Sequence, residues 1–120
     1  MNKINYIELN DKIVFEVIPE RSDISNKGSF GKLLNISGSY CMSGAAVLSS
    51  LAAYRCGVGL VSVACPQSAV TLIASGIREA TFLTFPEIEG RTDAASASKL
   101  IKEKIGRFSA CLVGLSLIHI

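Results

Sequence analysis

The chain has no tryptophan, only three prolines and a single histidine, His119, which lies next to the last residue. With histidine so scarce, neither a Ser-His-Asp nor a Cys-His arrangement can be assembled from residues 1–114. Long apolar runs are also missing. The stretch from Ala45 onward is broken by Arg55, Gly57 and Gly59, and falls short of the about 20 apolar residues that span a bilayer. The N-terminus carries Lys3, Glu8, Asp11 and Lys12 in place of an apolar leader core. A soluble, cytoplasmic protein with no membrane partner is the expectation. Neither sign of charge dominates: 12 Lys and Arg against 10 Asp and Glu leave +2. Basic residues gather only at Lys99, Lys102 and Lys104, around Glu103, at the spacing of a solvated helix face. Nucleic acid is therefore not an expected partner. Cys41, Cys56, Cys65 and Cys111 show no CxxC spacing, so the usual zinc pattern is absent. Three of them lie among Ala, Val, Leu or Gly and are expected to act as small, reduced apolar residues.

What is present suits one globular domain. Hydrophobic residues make up 49% of the 120 and charged residues 18%, enough apolar chain for a modest core. Residues 4–18 show two β-type runs around Asn10-Asp11, predicting a hairpin. Residues 19–31 are polar and irregular, with Gly28 and Gly31 marking a tight turn. A short buried strand is predicted over 33–37. A glycine-bearing loop over 38–43 leads into a helix over 44–56, with Ser43 as its cap and Gly57 as its stop. The spacing of Ala45, Leu48, Leu51, Ala52 and Tyr54/Arg55 suggests its packed face. A strand over 60–64 follows, then Pro66 as the first residue of a helix over 67–74. A strand over 79–85, a loop over 86–92 and a helix from the Asp93 cap to Ile105 come next, the helix packing through Ala97, Leu100, Ile101 and Ile105. A last buried strand begins at 110–113 and turns at Gly114.

From Leu33 the order is β-α-β-α-β-α-β, which implies an α/β fold with a mainly parallel sheet covered by helices. Ligands of such sheets sit beyond the carboxyl ends of the strands. The Gly38 loop, the corner at 64–66 and the turn at Gly114 then share one rim. The loop over 38–44 enters a helix N-terminus, where amides and the helix dipole favour an anion such as phosphate. Plain turn geometry explains the glycines equally well. No Walker Lys-Ser/Thr follows, and Gly57-x-Gly59 lacks the third glycine of a dinucleotide fingerprint. Glu79, Glu87, Glu89 and Asp93 read as surface or capping carboxylates, not as catalytic bases.

These motifs together resemble a family. Residues 26–34 (NKGSFGKLL) look like an "HKGxxG" opening, with Asn26 where the family usually has His. Ser37-Gly38-Ser39 and then residues 42–48 (MSGAAVL) look like a "GGS…xxGAAxLA" loop and helix. Residues 55–63 (RCGVGLVSV) look like "RxGaGLVxVA", Pro66-Gln67-Ser68 like "PxS/E", and Glu79-Ala80 like "PEa", with Ile77-Arg78 replacing the usual Leu-Pro. The chain thus resembles the ADP- or ATP-dependent (S)-NAD(P)H-hydrate dehydratases. This resemblance implies a ribokinase-like three-layer α/β/α fold, and a lyase that restores NAD(P)H from its hydrate at the expense of ADP or ATP. Mg2+ is the expected companion of the nucleotide, and a homo-oligomer is an expected form of the full-length parent. The resemblance further implies that Gly44, Ala45 and Gly114 contact the hydrated cofactor. The phosphate loop and the catalytic Asp of a late "GxGD" motif have no counterpart in these 120 residues. Residues 1–114 are accordingly expected to be the N-terminal part of such a domain, truncated and inactive alone. Residues 115–120 (LSLIHI) match what a common transposase sequencing adaptor encodes in one frame, and are expected to be a non-native tail. Two other readings stay open: a ribokinase-like kinase of a small metabolite, and a non-catalytic nucleotide-binding module.

Overall fold

The computed structural model describes residues 6–18 and 20–115. Residues 116–120 of the tail expected at 115–120, and the opening residues 4–5 of the expected hairpin, lie outside the described residues. Within them the hairpin is replaced by a helix, α1 (Asp11–Val17). Asn10 is the reason: it is an N-cap, not a turn residue. Its side chain accepts the Ile13 amide at 3.0 Å, and Asp11 lies in the first turn, where a carboxylate favours the helix dipole. The helix contributes no buried residue.

The core begins after a 3-10 turn at Lys27–Phe30. Asn26 opens it by accepting the Gly28 amide at 2.8 Å and donating its own N–H to Ser29 Oγ at 3.3 Å. An Asn at the family's His position is therefore a competent cap. Arg21 ties the preceding irregular segment down, donating to Gly57 O at 3.1 Å with its guanidinium 4.5 Å from the Phe30 ring centre.

Four strands then form one sheet: β1 (Lys32–Ile36), β2 (Leu60–Pro66), β3 (Thr81–Phe85) and β6 (Ala110–Val113), in the order β3-β2-β1-β6. All three pairings are parallel. Period-2 alternation assigns the two faces. Val61, Val63 and Cys65 face α2 (Ser43–Arg55) and α3 (Val70–Gly76), meeting Ala46, Ala69, Ile73 and Ile77. Leu34, Ile36, Ala64 and Phe85 face α4 (Ala94–Lys104), meeting Ala97, Leu100 and Ile101. The result is the three-layer α/β/α arrangement expected. Asp93 caps α4 through the Ala95 amide, as its sequence position suggested.

Several local expectations need correction. Ser43 is the first residue of α2, not its cap; a 3-10 turn at Tyr40–Met42 precedes it. Pro66 ends β2, and a 3-10 turn at Gln67–Ala69 stands between it and α3. Pro fits there because its fixed φ suits the exit and it owes the sheet no further N–H. The expected loop over 86–92 contains a small antiparallel hairpin, β4 (Glu87–Ile88) with β5 (Arg91–Thr92).

The packed face of α2 is also rotated from the expected one. Leu48 and Ala52 are exposed, while Ala46 and Ser50 are fully buried. The cause is Asn35, buried on β1, whose Nδ2 donates to Ser49 Oγ at 2.7 Å and Ser50 Oγ at 2.9 Å. Its Oδ1 accepts the Ser37 hydroxyl at 2.8 Å. A buried amide must be satisfied, and only the serine edge of α2 can do it.

Candidate functional site at the carboxyl rim of the sheet

Because all four strands of the main sheet run the same way, the connections leaving their carboxyl ends collect on one rim. Register keeps the ends level: Ile36 is opposite Ala64 on one side and Val113 on the other, and Pro66 is opposite Phe85. The rim therefore holds the loop after β1, the corner at Pro66, the β4–β5 hairpin after β3 and the turn at Gly114.

The loop after β1 is built by close packing. Gly38 has φ +84°, and a Cβ there would stand 2.9 Å from Ala46 Cβ and 3.2 Å from Ile73 Cδ1. The turn and its contact with α2 and α3 thus account for this glycine. Gly44 differs: in the first turn of α2, a Cβ would meet nothing within 4 Å. The residue at the N-cap position, Met42, makes no side-chain cap bond to the helix.

A cleft of about 470 Å³ opens on the rim, walled by residues 39–42, by Pro66 and Ser68, and by Glu87 with residues 90–92. Gly44, Ala45 and Gly114 are not among its walls. Gly114 follows β6, its amide donating to Ile36 O at 3.2 Å, with open space where a Cβ would be. A second, apolar hollow of about 380 Å³ lies alongside, between Ile36, Phe85 and the α4 residues Ala97 and Ile101. Thr92 lines both.

Sequence reasoning missed how Glu87 acts. Its carboxylate clasps Ser68 from across the rim, accepting the Ser68 amide at 2.8 Å and its hydroxyl at 2.9 Å. It is a capping carboxylate, but it caps a turn 19 residues away. Position after β3 was the available signal, since residues just beyond parallel strands reach the rim. Among the described residues no group of three or more His, Cys, Asp or Glu could hold a metal ion. Mg2+ that accompanies a nucleotide is held by its phosphates with one or two carboxylates, so the absence of such a group leaves that expectation untouched. No helix among the described residues is long and apolar enough to cross a membrane.

The cysteines divide. All four are free; Cys65 is buried, whereas Cys41, Cys56 and Cys111 are exposed, against the expectation that three would be apolar filler. Cys111 sits on the outermost strand β6, which explains its exposure. Burial first, and the nearby Glu87 carboxylate second, push the Cys65 thiol up to about 11. Its folded-state value is raised, so the stability it supports is complete below the ordinary 9.0 and fades as pH climbs from there towards about 11. A disulfide reagent at neutral pH should titrate three thiols in the folded chain and the fourth, Cys65, only on unfolding. Four immediately reactive thiols would show that β2 is not sealed between its layers.

An all-parallel, three-layer sheet with hollows beyond its strand ends is the architecture of α/β ligand-binding enzymes. A ribokinase-like superfamily protein from Enterococcus faecalis shares the fold, with a TM-score of 0.68 at 22% identity over 97% of this chain and 40% of that one. The profile of the family described as NAD(P)H-hydrate dehydratase (Carb_kinase) matches residues 33–118, and the chain belongs to that family. The ADP-dependent (S)-NAD(P)H-hydrate dehydratase of Lactococcus lactis is 37% identical over 95 residues, covering 79% of this chain and 34% of its own length. The ADP/ATP-dependent NAD(P)H-hydrate dehydratase of Bacillus subtilis, co-crystallised with ATP and Mg2+, has a TM-score of 0.58 at 26% identity, covering 78% of this chain and 40% of that one. The chain spans about a third of the length of the ADP-dependent relatives it matches.

Proposed function

We propose that this chain supplies the hydrated-cofactor side of a metabolite-repair lyase, one that dehydrates (S)-NAD(P)H hydrate to NAD(P)H and consumes ADP or ATP. In that chemistry a phosphoryl group passes from the nucleotide to the hydrate's hydroxyl. Loss of phosphate together with a ring proton then restores the double bond. The family match carries the reading. Its support in the fold is the pairing of β1 with β6, whose level ends send the loop to Gly44-Ala45 and the turn at Gly114 off the same rim. We read Gly44, Ala45 and Gly114 as backbone that a dinucleotide approaches closely. Gly44 and Gly114 have open space where a side chain would stand. A cytoplasmic, homo-oligomeric enzyme is the form in which we expect this activity.

The test uses the protein encoded by the gene's longest reading frame, given chemically prepared NADH hydrate. Recovery of the dihydronicotinamide absorbance with ADP or ATP, and none without, is the expected result. The 120-residue chain should give no turnover on its own. Phosphorylation of a vitamin alcohol with no action on the hydrate would replace this reading by that of a ribokinase-like kinase.

A further inference from the structure

We propose that the β4–β5 hairpin is a phosphate-holding arm of the rim cleft, with the Arg91 guanidinium gripping a phosphate group of the dinucleotide; this rests on the functional reading above. Arg91 is the one cation in the cleft wall. It is exposed and makes no ion pair among the described residues. The one carboxylate in that wall, Glu87, is tied to Ser68 through both oxygens and forms no ion pair with Arg91. The wall thus offers one guanidinium without an ion-pair partner, and a guanidinium fork matches phosphate oxygens two at a time.

The arm is also held in place. Its two turn residues, Glu89 and Gly90, both have positive φ, 50° and 74°. This pattern is a type I′ turn, which fits the twist of a two-residue hairpin. Glu89 is a costly residue for that conformation, and such strain persists where the surroundings enforce it. At the base, the Asp93 amide donates to Pro86 O at 2.9 Å, and Glu87 is fixed to Ser68. The backbone of the arm is therefore held before a ligand arrives, which leaves the Arg91 side chain as the part to be ordered on binding.

A dinucleotide offers two phosphate sources, the pyrophosphate common to NAD and NADP and the 2′-phosphate that NADP alone carries. Titration calorimetry of the full-length protein with NAD+ and with NADP+ separates them, comparing wild type with Arg91→Gln and Arg91→Lys. Loss of one charge-assisted contact should weaken binding about 10-fold in Arg91→Gln, with Arg91→Lys between it and wild type. Weakening of both ligands assigns the pyrophosphate; weakening of NADP+ alone assigns the 2′-phosphate. Unchanged affinity for both in Arg91→Gln, or a wild type that binds neither, overturns the proposal. The dehydration assay is a separate readout: a protein that binds through Arg91 without turnover sinks the functional reading and keeps this one.

Discussion

Gly59→Ala should abolish stable folding, or cost at least the upper part of the about 1–3 kcal/mol that overpacking usually exacts. A Cβ at Gly59 would fall 1.6 Å from Lys27 O and 2.7 Å from Lys27 C. Those are backbone atoms of the 3-10 turn at Lys27–Phe30, so no rotamer change relieves the overlap. The turn cannot simply move away. Gly59 N donates to Phe30 O and Leu60 N to Gly31 O, each at 3.2 Å, and these bonds start the β1–β2 ladder. A methyl group here therefore separates the opening motif from the sheet. Gly44→Ala is the matched comparison, because a Cβ there meets nothing and the site is helical. Alanine should leave stability unchanged or raise it by up to about 1 kcal/mol. Urea midpoints of the two variants give the contrast; equal midpoints would refute the contact at Gly59. The Gly44 variant has a second use. If it is folded and has lost NADP+ affinity, Gly44 lines the dinucleotide site; if it is folded with full affinity, Gly44 drops out of the site.

How far the sequence spoke for itself depended on whether a signal was local. The strands at 60–64 and 110–113 stood out because short runs rich in Val, Leu and Ala that end at a Gly or Pro have few other uses. The α4 cap at Asp93 was legible for the same reason, since a cap acts within its own turn. Around Asn10 two local signals competed. Alternating apolar residues suggested strands, but Asn10-Asp11 before Lys12 and Glu16 is also a capped helix start with an i, i+4 pair. The structure takes the second. The rotation of α2 was invisible because it depends on a polar side chain of another element, and apolar spacing alone chose Leu48 over Ser50. The clasp of Glu87 on Ser68 joins two strand ends and has no period at all. The rim itself followed from strand order, whereas which side chains wall the cleft on it did not.

Asn35→Leu is expected to cost about 3 kcal/mol, from stranded hydroxyls more than from lost contacts. The side chain is fully buried and bonds Ser37, Ser49 and Ser50, with a longer contact of 3.5 Å to Ala46 O. Leucine has about the right size for the space but offers nothing to the serines. Ser49 keeps the Ala45 carbonyl at 2.8 Å, whereas Ser37 and Ser50 are buried and lose the partner they had. Removing both sides of a polar contact costs less than removing one. Asn35→Leu combined with Ser50→Ala should therefore be more stable than Asn35→Leu alone, by about 1 kcal/mol in a urea double-mutant cycle. Strict additivity of the two single changes would mean that the amide and Ser50 do not act together. Ligand binding should follow the same network. Asn35 sets the rotation of α2, and the first turn of α2 carries Gly44 and Ala45 at the rim. A folded Asn35→Leu protein should hold NADP+ more weakly than wild type, although Asn35 is too deeply buried to touch a ligand. Unchanged NADP+ affinity in a protein destabilised as predicted would show that the rim loop keeps its position without the buried amide. The coupling from strand to helix to site would then end at the helix.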